Sequence, residues 1–161
     1  MTRTLENSTG LSAPDTKFLK DIQTHGWHVT RVFASKGEAG PEWAFSTGLY
    51  HTFSHPELIV FGLTLDVCMR IVNGVGLQVK TGKRFEPVGV YGDILNEPYK
   101  CAFRLVQRKH YRDYLGRALW FYEDDSFPTT QCFWPDKAEK FPWDEGCNPV
   151  VRDGQPLLFV P

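Results

Sequence analysis

The run ELIVFGL (57–63) constrains this chain more than any other stretch, because nothing polar stands between Glu57 and Thr64. β-Branched and aromatic residues in so short a run, punctuated by Gly62, describe a buried strand. It is bulkier than its neighbours and takes the central place in a sheet. WAFSTGLY (43–50) reads as the strand before it. WHVTRVFA (27–34) reads as the first strand, alternating so that Trp27, Val29, Val32 and Phe33 face inward. Gly48 and Gly62 inside strands mark bulges, or points where a ligand or another backbone comes close. The stretch FSTGLYHTFSHPELIVFGL (45–63) is thus expected to be a hairpin with a turn at its centre, since Pro56 biases His55 towards extended backbone.

Helical signals are few. Ser12 is placed to cap a helix over 13–25, with Asp15 completing a capping box, Phe18, Leu19 and Ile22 on one face, and Gly26 at its end. Thr64 caps a second, in which Cys68, Ile71, Val72, Val75 and Val79 recur at helical spacing and Gly82 closes the run. Gly74 and Gly76 each weaken that helix by about 1 kcal/mol relative to Ala, so one of them is expected to permit tight packing on the sheet. A third, over 109–122, presents Tyr111, Tyr114, Leu115, Ala118, Leu119 and Tyr122 as one stripe. FEPVGVYGDIL (85–95), KCAFRLVQ (100–107) and TTQCFWP (129–135) are the remaining strand candidates, and SKGEAGPE (35–42) is a turn.

This order predicts an α+β fold: a largely antiparallel sheet or open (split) barrel with about three helices packed on it. Residues 1–12 read as a flexible lead-in and 13–161 as a single globular domain, with 136–161 a Pro/Trp-rich C-terminal segment.

A net charge of −1 gives no global pull towards nucleic acid or acidic membranes. The charge is uneven, with 3 Lys/Arg against 8 Asp/Glu in residues 123–161, so the acidic tail either lies against a basic body or is solvated. The N-terminus lacks the apolar run of a signal peptide, and no stretch approaches membrane-spanning length. Cys68, Cys101, Cys132 and Cys147 are far apart with no C-x-x-C pair, which suits free thiols in a cytoplasmic protein.

His51, His55 and Glu57 are the sharpest candidates for chemistry. Imidazole titrates near neutral pH, and two His with one carboxylate can hold a metal at varied spacings. In an enzyme, His51 or His55 would be the acid or base and Glu57 or Asp93 its orienter, with a flavin or metal as cofactor. The alternative is that Ser54 and His55 simply bond the backbone of a turn. In RLVQRKHYRDYLGR (104–117) basic and aromatic residues interleave, but the tyrosines sit on the apolar stripe, so nucleic acid is an unlikely partner. Arg104 and Arg108 are better placed to hold a carboxylate or phosphate. FPTTQCFWPDKAEKFPWDEGC (127–147) is the densest aromatic region, where Trp134, Asp136 and Trp143 either anchor a partner or cover a sheet edge. No G-x-S-x-G elbow, P-loop or dinucleotide fingerprint occurs.

HGWHVTRV, the 45–63 stretch and the late WPD resemble the bacterial domain-of-unknown-function family 4262 over roughly residues 18–146. The resemblance implies a bacterial, single-domain, intracellular protein whose family has no established reaction, so no catalytic residue is carried over. The Thr-Gly-Leu and Pro-Glu-Leu segments are also similar to strand pairs of flavin-binding split barrels, a fold-level analogy only. The leading expectation is a binding module for a protein partner or small ligand, of immunity or accessory type. Its rival is a small enzyme with a His/Glu pocket.

Overall fold

A computed structural model describes residues 1–34, 37 and 40–160. Six strands form one open sheet: β1 (His28–Val32), β2 (Trp43–Thr47), β3 (Glu57–Phe61), β4 (Gly89–Tyr91), β5 (Cys101–Leu105) and β6 (Thr129–Phe133). Their order across the sheet is β1-β2-β3-β6-β5-β4. Every neighbouring pair is antiparallel except β3 and β6, which run parallel with Glu57 opposite Thr129. ELIVFGL is central as expected, and all five residues of β3 are buried.

Among the described residues six α-helices accompany the sheet where about three were expected: α1 (Ala13–His25), α2 (Leu49–Phe53), α3 (Leu65–Lys80), α4 (Tyr111–Tyr114), α5 (Gly116–Tyr122) and α6 (Pro149–Asp153). The two long ones follow their local signals. Ser12 and Asp15 form the capping box of α1, and Gly26 ends it in the left-handed region. Thr64 caps α3. Of its two glycines, Gly76 is the one that permits close packing, since a Cβ there would sit 2.7 Å from the Trp27 ring while one at Gly74 would meet nothing.

The extra helices are short and have causes the sequence pattern hides. The single helix expected over 109–122 breaks at Leu115 (φ −123°, ψ 38°). The indole Nε1 of Trp43 donates to the Tyr114 carbonyl at 3.0 Å, taking up a backbone acceptor at the break. The strand expected over 85–95 shrinks to three residues. The 45–63 stretch is not a hairpin with a turn: α2 stands between β2 and β3. Half of the turn expected over 35–42, residues 35, 36, 38 and 39, lies outside the described residues.

The sheet is covered on both faces. On one, Phe45, Ile59 and Phe61 meet Phe18, Leu19 and Ile22 of α1 together with Tyr111, Leu115 and Phe121. On the other, Ala44, Leu58, Val60, Phe103 and Cys132 meet Cys68, Val72 and Val75 of α3. All four cysteines are free and buried. The C-terminal segment is tied down: Trp134 Nε1 donates to the Phe61 carbonyl at 2.7 Å, and the Gln155 amide bonds both the N–H and the carbonyl of Trp134. Residues of the N-terminal segment also touch the body, Arg3 donating to the carbonyls of Trp120 and Phe121. Among the described residues no helix is long and apolar enough to cross a membrane.

Candidate functional site

β2 ends at Gly48, whose φ of 118° turns the chain sharply into α2. A side chain there is excluded twice over, because a Cβ would lie 2.6 Å from the Gly26 carbonyl oxygen. The first amides of α2 then point at the Glu57 carboxylate, which arrives from β3. Gly48, Leu49 and Tyr50 donate their N–H groups to it at 2.9, 3.2 and 3.2 Å. The Ser46 hydroxyl donates at 2.7 Å, and the Tyr122 hydroxyl completes five donors. Glu57 is thus the N-terminal cap of a helix that has no cap of its own. Burial pushes its carboxyl above the ordinary range, against the pull of Tyr122, Ser46 and the backbone donors. The phenol of Tyr122 is pushed up in turn, by burial and by the Glu57 charge.

The three candidates of this stretch diverge. His55 is fully buried; Nδ1 lies 2.9 Å from the Pro56 carbonyl, and Nε2 accepts the Phe85 N–H at 3.0 Å. That pairing assigns a neutral imidazole with its proton on Nδ1. Burial also lowers its pKa, opposed by the bond to Pro56. His51 points outward, edge-on to Phe121, beside a cavity of 320 Å³ that Arg3, Leu19 and Ile22 also line. Asp93 is exposed at φ 62°, its carbonyl taking a bond from Gln78, and it contacts none of the three. Among the described residues no cluster of three or more His, Cys, Asp or Glu could hold a metal ion.

The C-terminal candidates separate as well. Trp134 is engaged as described above. The Asp136 carboxylate accepts the N–H groups of Ala138, Lys140 and Asn148 at 2.9 Å each, bonds that organise its loop and hold its carboxyl below the usual range. Trp143 stacks on Phe141 and lies 4.7 Å beneath the Arg104 guanidinium, so these two do meet. Arg108 lies apart, donating to the Ser126 carbonyl, and Arg117 pairs with Asp15. The basic residues of 104–117 therefore serve different places rather than one stripe.

A feature outside these candidates is a cleft of about 830 Å³ that runs along β1. β1 is an edge strand, and among the described residues no backbone group of 28–33 bonds anything beyond the β1–β2 ladder. α1 contributes Lys17, Asp21 and His25 to one wall; α3 contributes Met69, Asn73, Leu77 and Lys80 to the other. Trp27 closes one end, its Nε1 bonded to Asn73 Oδ1 at 3.0 Å. His28 faces α1, with Nδ1 2.8 Å from Asp21, and Val29 faces α3. Burial lowers the His28 pKa despite that carboxylate. Phe33, expected to face inward, is 64 % exposed in the cleft, because it lies beyond the last paired position, Val32 opposite Trp43. The alternation of WHVTRVFA gave the strand; no signal in it marks an edge, because edge position depends on which strands pair.

A family model described as a domain of unknown function, DUF4262, matches residues 21–148. The chain belongs to the DUF4262 family. The matched region holds the whole Glu57 cage and most of the β1 cleft, and leaves out the end of the C-terminal segment. No curated protein and no solved structure matches.

Proposed function

We propose that this DUF4262 protein is a binding module that receives an extended segment of a protein partner along β1. The supporting observation is the edge of β1, unpaired among the described residues, at the floor of this cleft and between two helices that pack on opposite faces of the sheet. An added strand gains main-chain hydrogen bonds from such an edge, and the flanking walls select its side chains. This reading puts the binding surface at the cleft; the polar atoms of Trp134 are bonded within the fold. Four buried free thiols fit a cytoplasmic setting, where they stay reduced.

The test is selection from a displayed library of random dodecapeptides, followed by amide hydrogen exchange on the enriched binders. Bound peptide should slow exchange in residues 28–32, and Leu77→Arg, which fills the cleft from an exposed helix position, should abolish binding while leaving the fold intact. Binders that leave β1 exchange unchanged and survive Leu77→Arg would place the surface elsewhere.

A further inference from the structure

The two walls of the β1 cleft differ in chemistry. An added strand would send alternate side chains to opposite faces of the sheet. Those directed towards α1 meet Lys17, His25 and His28, and among the described residues Asp21 is the one acid lining that wall. Asp21 is already engaged, bonded by Lys17 at 2.7 Å and by His28 at 2.8 Å. Side chains directed towards α3 meet Val29, Met69 and Leu77, a mainly apolar strip. Cations bound that strip: Lys80 at the C-terminal end of α3 and Arg31 near its N-terminus, 3.9 Å from the exposed Asp66.

Building on the strand-addition reading, we infer that the partner segment alternates acidic and apolar residues, its acids facing α1 and its apolar side chains facing α3. The carboxylates complement Lys17 and His25, while the apolar residues bury against Met69 and Leu77. A basic segment is disfavoured by the same cations, and so is a second copy of this chain, which would bring its own Arg31 and Lys80 to the seam.

The experiment compares three synthetic heptapeptides that alternate Val with Glu, with Gln or with Lys, and a fourth with the same Glu and Val content in two blocks. Affinity is read by titration at low and at high salt, and location by hydrogen exchange at residues 28–32. The alternating Glu peptide should slow β1 exchange and bind at least about tenfold tighter than the Gln peptide at low salt, an advantage that shrinks with added salt. The Lys peptide and the block peptide should bind least. In the Lys17→Glu, His25→Glu double variant, which reverses the charge of the α1 wall, the order of the Glu and Lys peptides should reverse. Equal affinity and equal β1 protection for the Glu and Gln peptides would overturn the acidic partner and leave strand addition standing. Tight binding of the Glu peptide with no β1 protection, kept in Leu77→Arg, would overturn strand addition itself. Concentration-dependent β1 protection in the protein alone, together with a dimer in solution, would make a second copy the occupant and overturn the acidic partner segment.

Discussion

The Glu57 cage and the β1 edge are two answers to one demand, that polar groups of a strand find partners. At Glu57 every oxygen is served by the chain itself: three amides, a serine and a tyrosine converge on one carboxylate. At β1 the outward backbone groups are left without a partner in the described chain, between helices that shield them on two sides. A saturated cluster has nothing to offer a ligand, so its worth is measured as stability. An unsaturated edge adds little to stability and is worth most when something binds. Titratable residues gathered in sequence, as His51, His55 and Glu57 are, say nothing about which of these two situations holds.

Substitutions separate the two regions, and the largest effect belongs to the cage. Glu57→Ala should lower stability by about 3–5 kcal/mol, because it strips an anion from donors buried around it. Urea unfolding measures the loss, and peptide affinity per folded molecule should be unchanged. Gly48→Ala forces a side chain into a left-handed position against the Gly26 carbonyl and should cost about 1–3 kcal/mol in the same assay. Tyr122→Phe removes one donor from the carboxylate and leaves the His51 N–H without its acceptor, again about 1–3 kcal/mol.

The next effect is one of pH. His55 titrates lower in the folded protein than its ordinary 6.5, owing to burial, so the unfolded chain binds its proton first. Stability must then fall as pH drops from 6.5 towards the folded-state value. His28 contributes with the same sign, while the raised carboxyl of Glu57 acts oppositely, its stabilising share fading as pH rises above 4.5. The His55 share is isolated as the difference between the wild type and His55→Gln, followed by thermal unfolding from pH 7.5 to 5; a constant difference would refute it. The smallest stability effect belongs to the edge: Leu77→Arg, on a side chain 58 % exposed, should stay within about 0.5 kcal/mol of the wild type while peptide binding disappears.

Legibility in the sequence follows the range of the interactions. α1 and α3 are readable because their caps and stripes lie within a few residues of the helices they define. β3 is readable because its apolar run is short, rich in β-branched and aromatic residues, and bounded by Pro56 and Gly62. α2 is not, since its cap is supplied by Glu57, beyond its own C-terminus, and its polar partner Tyr122 is 65 residues from Glu57. The break at Leu115 is equally hidden: its freed carbonyl is claimed by Trp43 from 71 residues away. β4 and α6 are too short for periodicity to register. The role of β1 as an edge follows only from the order of the strands, which a one-dimensional pattern does not carry.

The borrowed cap of α2 also bears on the route by which the chain acquires its structure. Five residues are far too few to nucleate a helix in water. Its first turn gains a counterpart for its amides only when β3 has aligned beside β2, and that counterpart is held in place by a tyrosine from α5. Segment 48–57 is therefore expected to order late and in a single step, after the two strands and α5 have met. Its amides should then open to exchange together, as one cooperative unit, rather than fray one residue at a time.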